Sequence, residues 1–124
     1  MISYFVRYRG WAADPAGFVN HYASHHAAIL KEFTGIRTLS LHEPVDWNDP
    51  LPVHPDDTAL LAQMTFDTPS DLERALQSEA RRRAREDFGR VPKFSGEVTH
   101  QAMCANSKTV VVELILLTVA AIAT

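Results

Sequence analysis

The run Ile2-Ser3-Tyr4-Phe5-Val6-Arg7-Tyr8-Arg9, followed after a short interval by Asp14-Pro15, decides how this chain begins to fold. In that run Ile2, Tyr4, Val6 and Tyr8 fall on one face and Ser3, Phe5, Arg7 and Arg9 on the other. This is the period-two alternation of a strand. The tyrosine-bearing face is assigned to the protein interior, because that leaves Arg7 and Arg9 on the other side. Gly10 to Ala13 is read as a turn. Asp14 then offers a capping oxygen and Pro15 suits the first helical position, so a helix is predicted to about Phe33. Thr34-Gly35 ends it with a glycine free to adopt positive φ. At 3.6 residues per turn, Phe18, Tyr22, Ile29 and Phe33 share a narrow arc. His26 projects into that arc, His25 sits at its edge, and His21 lies well outside it.

Working outward, a second strand is predicted from Ile36 to Glu43, with Leu39 and Leu41 on one face and Thr38, Ser40 and His42 on the other. Residues Pro44 to Asp57 hold four prolines and four aspartates and are read as a long loop. A third strand runs from Thr58 to Phe66. Thr68-Pro69-Ser70-Asp71 opens a second helix, capped by Thr68, with Leu72, Leu76, Ala80 and Phe88 on its buried side. Arg81, Arg82, Arg83 and Arg85 are read as a solvated face, because Glu79–Arg83, Arg82–Glu86 and Arg83–Asp87 are all spaced by four residues. A last strand is predicted from Glu97 to Met103. The order is βαββαβ, that of a ferredoxin-like α+β fold: an antiparallel sheet with two helices on one face. The other sheet face, if it carries large apolar side chains, needs a cover. Pairing with a second copy as a homodimer provides one.

The chain has 124 residues, enough for one domain, and its 46% hydrophobic and 22% charged content is that of a globular protein. A formal net charge of −3 gives no reason to expect a nucleic-acid partner. The single cysteine, Cys104, excludes an internal disulfide and suits a reducing compartment. The N-terminal residues do not read as a signal peptide, so a cytoplasmic location is expected. Residues 1–105 are taken as the domain and 106–124 as an apolar extension. Within the extension, Thr109 to Leu117 is apolar on both strand faces. It is shorter than the ~20 apolar residues of a membrane span and is interrupted by Glu113, so no membrane partner is expected. An added strand, a segment reaching onto a partner chain, and a tail under no selection all remain open.

The first helix, Phe18-Val19-Asn20-His21-Tyr22-Ala23-Ser24-His25-His26-Ala27-Ala28-Ile29 followed by Gly35-Ile36, resembles the EthD family, named for ethyl tert-butyl ether degradation. Phe18, Tyr22 and His26 take the places of that family's aromatic residue, second aromatic residue and histidine, and Gly35 that of its turn glycine. Phe66-Asp67 before the second helix and Phe94 before the last strand add to the likeness. The resemblance implies a dimeric α+β barrel and catabolic chemistry on a small organic molecule, in partnership with an oxygenase system. Relatives implied by it include lactone isomerases of the methylmuconolactone methylisomerase type and small quinone-forming monooxygenases. Two departures stand out: Leu39 occupies the place of the isomerases' strand-two tyrosine, and Ala28 that of a proline two residues after the histidine.

His26 is the leading candidate for catalysis. A histidine on an apolar stripe has its charged form disfavoured, and a neutral imidazole can take a proton from an acidic carbon and return it elsewhere. Its plain alternative is a core histidine satisfied by a hydrogen bond. Tyr22, four residues earlier on the same face, is the candidate helper, and its alternative is simple packing. Phe18, Tyr4, Leu39 and Phe66 are the candidate substrate-lining residues, in a pocket between the first helix and the sheet. His21 and His25 have a spacing able to grip a divalent metal. No nearby Cys, Asp or Glu completes a set, and only His42, His54 and His100 are on offer as third partners, so no metal is expected. No phosphate loop or nucleotide fingerprint occurs, so no cofactor is expected. Trp11 and Trp47 are candidates to rim a pocket. The functional expectation is an EthD-like catabolic protein, oxidoreductase-associated, with His26 as general acid/base. Its alternatives are a cofactor-free lactone isomerase and a non-catalytic accessory protein of an oxygenase system.

Overall fold

The computed structural model describes residues 1–105; the apolar segment at 106–124 lies outside the described residues. Strands β1 (Ile2–Ala12), β2 (Thr38–His42), β3 (Thr58–Phe66) and β4 (Phe94–Cys104) form one antiparallel sheet in the order β2-β3-β1-β4. Helices α1 (Pro15–His21), α2 (Ala27–Leu30), α3 (Pro69–Leu76) and α4 (Glu79–Phe88) complete the expected βαββαβ order. The fold is therefore the ferredoxin-like α+β fold that the alternation of strand and helix signals predicts.

The helix-facing side of the sheet is set by the alternation in β1. Tyr4, Val6 and Tyr8 are buried, and their partners on β3 (Met64, Ala62 and Leu60) are almost completely enclosed. Leu39 on β2 pairs with Met64, so it faces the same way near the far edge of the sheet. Tyr8 anchors an aromatic cluster, meeting Tyr22, Phe18 and Phe94 edge-on at centroid distances of 5.3, 5.5 and 5.8 Å. That edge-to-face arrangement places positive ring edges over negative ring faces. The opposite sheet face carries fewer large apolar side chains than the helix side. Its apolar residues are Phe5 and Leu61, with exposed Trp11 and Met103, set among Ser3, Gln63, Thr99 and Gln101, while the β1 tyrosines are on the helix side.

Four local readings need correction. First, Gly10 to Ala13 is not a turn: β1 continues through Ala12, and β4 begins at Phe94 rather than Glu97. Gly10 and Gly96 stand opposite each other with φ of +129° and +144°, and a Cβ on Gly96 would sit 1.9 Å from the Arg9 carbonyl oxygen. Two glycines let the paired strands run on with their backbones this close, and the sequence pattern alone took the first for a stop.

Second, the first helical segment is not one regular helix. Between α1 and α2, residues Tyr22–His26 form a π-helical stretch. One extra residue enters the turn, so the register behind it slips. Leu30 is fully buried while Ile29, predicted for the arc, is only half-buried. Third, the second helix is broken. Ser78 caps α4 with its side chain on the Arg81 amide, which separates α4 from α3 at Gln77. Fourth, the break resets which face is buried. Ala84 and Asp87 turn inward beside Ala80, which is buried as expected, while Phe88 is 42% exposed rather than buried.

The close strand approach generates a test. Gly96→Ala is expected to lower stability by about 2 kcal/mol, the order of cost of a strained backbone conformation, as read from urea unfolding. An unchanged midpoint would show that β4 adjusts without strain.

Candidate functional site

The π-helical stretch builds the site. In a regular α-helix, residues five apart differ in direction by about 140°. Where the backbone bonds run from i to i+5, residues five apart stack instead, and such turns recur at functional sites. His21 and His26 are five apart, and both reach the same atom. His26 Nδ1 lies 2.9 Å from Asp87 Oδ2, and His21 Nε2 lies 3.2 Å from it. His21, well outside the buried arc of a regular helix, is therefore drawn inward by the irregular turn, while His25 stays exposed with its ring 5.0 Å from that of His21.

Asp87 is buried in the last turn of α4, and the Arg83 pairing predicted for it does not form. Arg83 reaches Glu32 instead, and Arg82 bridges Glu79 and Glu86. A carboxylate at a helix C-terminus faces the negative end of the helix dipole and also loses its hydration. Burial pushes its affinity for protons up, but the imidazole bonds from His26 and His21 outweigh this and hold the carboxyl below its usual range. Asp87 is thus an ionised acceptor, and both imidazole nitrogens facing it must donate.

That fixes the tautomer of His26. With the Nδ1 proton given to Asp87, a neutral ring leaves Nε2 as the basic nitrogen. Burial depresses the affinity of His26 for a second proton; the Asp87 bond and charge oppose this, and His21 adds to it. The net direction is down from the ordinary value of 6.5, so the ring is neutral at pH 7. Tyr22 packs its ring 4.6 Å from the imidazole, and its phenol is pushed far up by burial and by neighbouring Tyr8. Burial likewise pushes Tyr8 up to about 12.

His26 forms part of the wall of a cavity of about 270 Å³ between the helices and the sheet. Tyr4, Tyr8 and Tyr22 line it with Val6, Leu30, Met64 and Val98, and Arg81, Arg85 and His100 stand around its rim. Of the sequence candidates, His26, Tyr22 and Tyr4 are brought together here. Phe18, Leu39 and Phe66 are not part of this lining: Phe18 packs in the aromatic cluster, Leu39 lies on the far side of β3, and Phe66 is sealed in the core opposite Ile2. Trp11 and Trp47 are exposed and do not line this cavity, and Trp11 borders a separate, more open hollow with Arg9, Asp57 and Glu97.

Sequence reasoning missed Asp87, Arg81, Arg85 and His100. The spacing 81, 84, 85, 88 on α4 is a helical face that could have singled out the two arginines. Nothing in the linear pattern could have joined Asp87 to His26. Among the described residues no group of three or more His, Cys, Asp or Glu side chains is arranged to hold a metal. No helix among them is long and apolar enough to cross a membrane.

Fold and site together define a ferredoxin-like α+β protein with an Asp-bonded histidine in the wall of a cavity. The sequence profile of the EthD domain matches residues 12–91, and the chain belongs to the EthD family. Among solved structures it is similar to an EthD family protein from Bacillus halodurans, at 18% identity and a TM-score of 0.69, covering 86% of this chain and 99% of that one. It is also similar to SnoaB, a cofactor-independent oxygenase from Streptomyces nogalater, at 16% identity and a TM-score of 0.58, covering 86% and 94%. A third similar structure is a monooxygenase from Streptomyces coelicolor in complex with nanaomycin D, at 14% identity and a TM-score of 0.62, covering 88% and 90%. No curated protein matches the sequence.

The lowered proton affinity of His26 makes a stability prediction. Below pH 6.5 the unfolded chain takes up a proton that the buried ring resists. This contribution is therefore complete above that pH and lost as pH falls toward the depressed folded value. The urea midpoint is expected to be lower at acidic than at neutral pH, with His26→Gln removing part of the difference. An unaltered pH dependence in His26→Gln would place the titration elsewhere.

Proposed function

We propose that the cavity binds a small organic molecule bearing an acidic C–H or O–H, and that His26 Nε2 removes that proton. The observation that supports this is His26 in the cavity wall, bonded to Asp87 outside the lining, which leaves one basic nitrogen for an occupant. The imidazolium formed would be stabilised by Asp87, which also holds the ring in one tautomer and orientation. At about 270 Å³ the space is slightly below the ~300 Å³ at which drug-sized sites begin, which suits a guest of about one ring.

Two outcomes can follow deprotonation without a resident cofactor. In one, the proton is returned to a different atom, which is an isomerisation. Alternatively the substrate anion passes electrons to dioxygen, so that a ring CH₂ becomes C=O and the second oxygen atom leaves as water. We favour the second outcome, because SnoaB is a cofactor-independent oxygenase on the same fold and Leu39 stands in the place of the isomerases' strand-two tyrosine. This is the oxidoreductase reading of an EthD-like catabolic protein. The lactone isomerase and accessory readings are its alternatives.

His26→Ala is expected to abolish turnover across a panel of lactones and quinols, with the fold retained by circular dichroism. An unchanged rate removes His26 from the mechanism. Asp87→Asn is expected to lower kcat and to move the acid limb of the pH profile further down, because the carboxylate is what raises the imidazole's proton affinity. Oxygen uptake marks the oxygenase outcome, deuterium exchange without uptake marks isomerisation, and neither marks the accessory reading.

We also propose that two copies pair through the open sheet face, as a dimeric α+β barrel, covering Phe5, Leu61 and Met103. Sedimentation at micromolar concentration is expected to give a dimer, and a monomer there would contradict the pairing.

A further inference from the structure

The cavity has a second polar region that the proposed proton transfer does not use. Arg81 and Arg85, four residues apart on α4, both line it, Arg81 half-buried and Arg85 exposed. Their neighbours Arg82 and Arg83 are paired with glutamates, whereas neither Arg81 nor Arg85 makes an ion pair among the described residues. Beside them, Tyr4 and His100 share a 2.7 Å hydrogen bond, with their rings stacked at 5.8 Å. No Asp or Glu belongs to the lining.

The charges of Arg81 and Arg85 act on Tyr4 and His100. Burial and then both arginines lower His100, and both oppose the burial that raises Tyr4. Tyr4 lies four residues, about 13 Å, along β1 from Tyr8, which packs on Tyr22 beside His26, and Val6 stands between them in the lining. The cavity therefore has a basic nitrogen toward one end of β1 and a cationic, donor-rich rim toward the other. Two guanidinium groups without carboxylate partners at a concave rim match a planar organic anion, because they donate in a fork and remain charged.

We infer that Arg81 and Arg85, with Tyr4 and His100, form an anion subsite that selects ring compounds carrying a carboxylate and directs the opposite end of the molecule toward His26. This rests on the reading of the cavity as a small-molecule site and names the class of compound it takes.

The test compares carboxylates with their neutral amides on the full-length protein by calorimetry, using benzoate and 1-naphthoate against benzamide and 1-naphthamide. Each acid is expected to bind about tenfold more tightly than its amide, the order of a charged hydrogen bond's worth. Added salt should weaken the acids and spare the amides. The double variant Arg81→Ala/Arg85→Ala should lose the preference and keep amide affinity, and Arg81→Lys/Arg85→Lys should restore much of it. Should the alanine variant fail to fold, the acid-to-amide ratio and its salt dependence in the unaltered protein decide. Equal affinity for acid and amide overturns the anion subsite and leaves the cavity reading standing. No binding of either series at millimolar concentration overturns both.

Discussion

The site depends on one buried carboxylate. Asp87 sits in the last turn of α4, where the helix dipole and the loss of water both oppose its charge. Two imidazole nitrogens bond to the same oxygen and keep it ionised. Both can reach that oxygen because the π-helical stretch stacks residues five apart. A regular helix would direct His21 away and leave Asp87 with a single donor. The irregular turn, the buried charge and the orientation of His26 are thus one arrangement. Local rules of helix geometry and charge placement are broken together where chemistry is proposed, as is common at functional sites.

The cavity beside this pair follows from where large and small residues fall. Tyr8 concentrates the aromatic rings toward one end of β1, and Ala84 faces the sheet with a side chain too small to fill the space beneath α4. Tyr4 reaches His100 on β4, so this polar contact lies at an edge of the sheet rather than in its centre. The resulting hollow is apolar in its walls, basic at His26 and cationic at its rim. Such a division of polarity orients a guest as well as holding it.

Membership of the EthD family and the shared fold do not transfer an activity. Chains of similar fold with identities below 20% can differ in every residue of the site. What bears on this chain's chemistry is its own geometry: a neutral imidazole with one nitrogen engaged and the other available.

The sequence by itself determined the βαββαβ order, the limits of β3, the Asp14 and Thr68 helix caps, the inward face of β1 and the burial of His26 and Tyr22. These are properties of periodicity and of residues capping their own neighbours, which act over a few positions. It misread Gly10 as a stop, because the close approach that requires a glycine there comes from Gly96, 86 residues away. Only the tertiary structure decided that His21 and His26 meet Asp87, that Arg81 and Arg85 border the same hollow as Tyr4, and that Leu39 and Phe66 do not. Those outcomes depend on a one-residue slip in a helix and a break at Ser78. A small local change of register redirects every side chain beyond it, and the favourable contacts that select that register lie in distant parts of the chain.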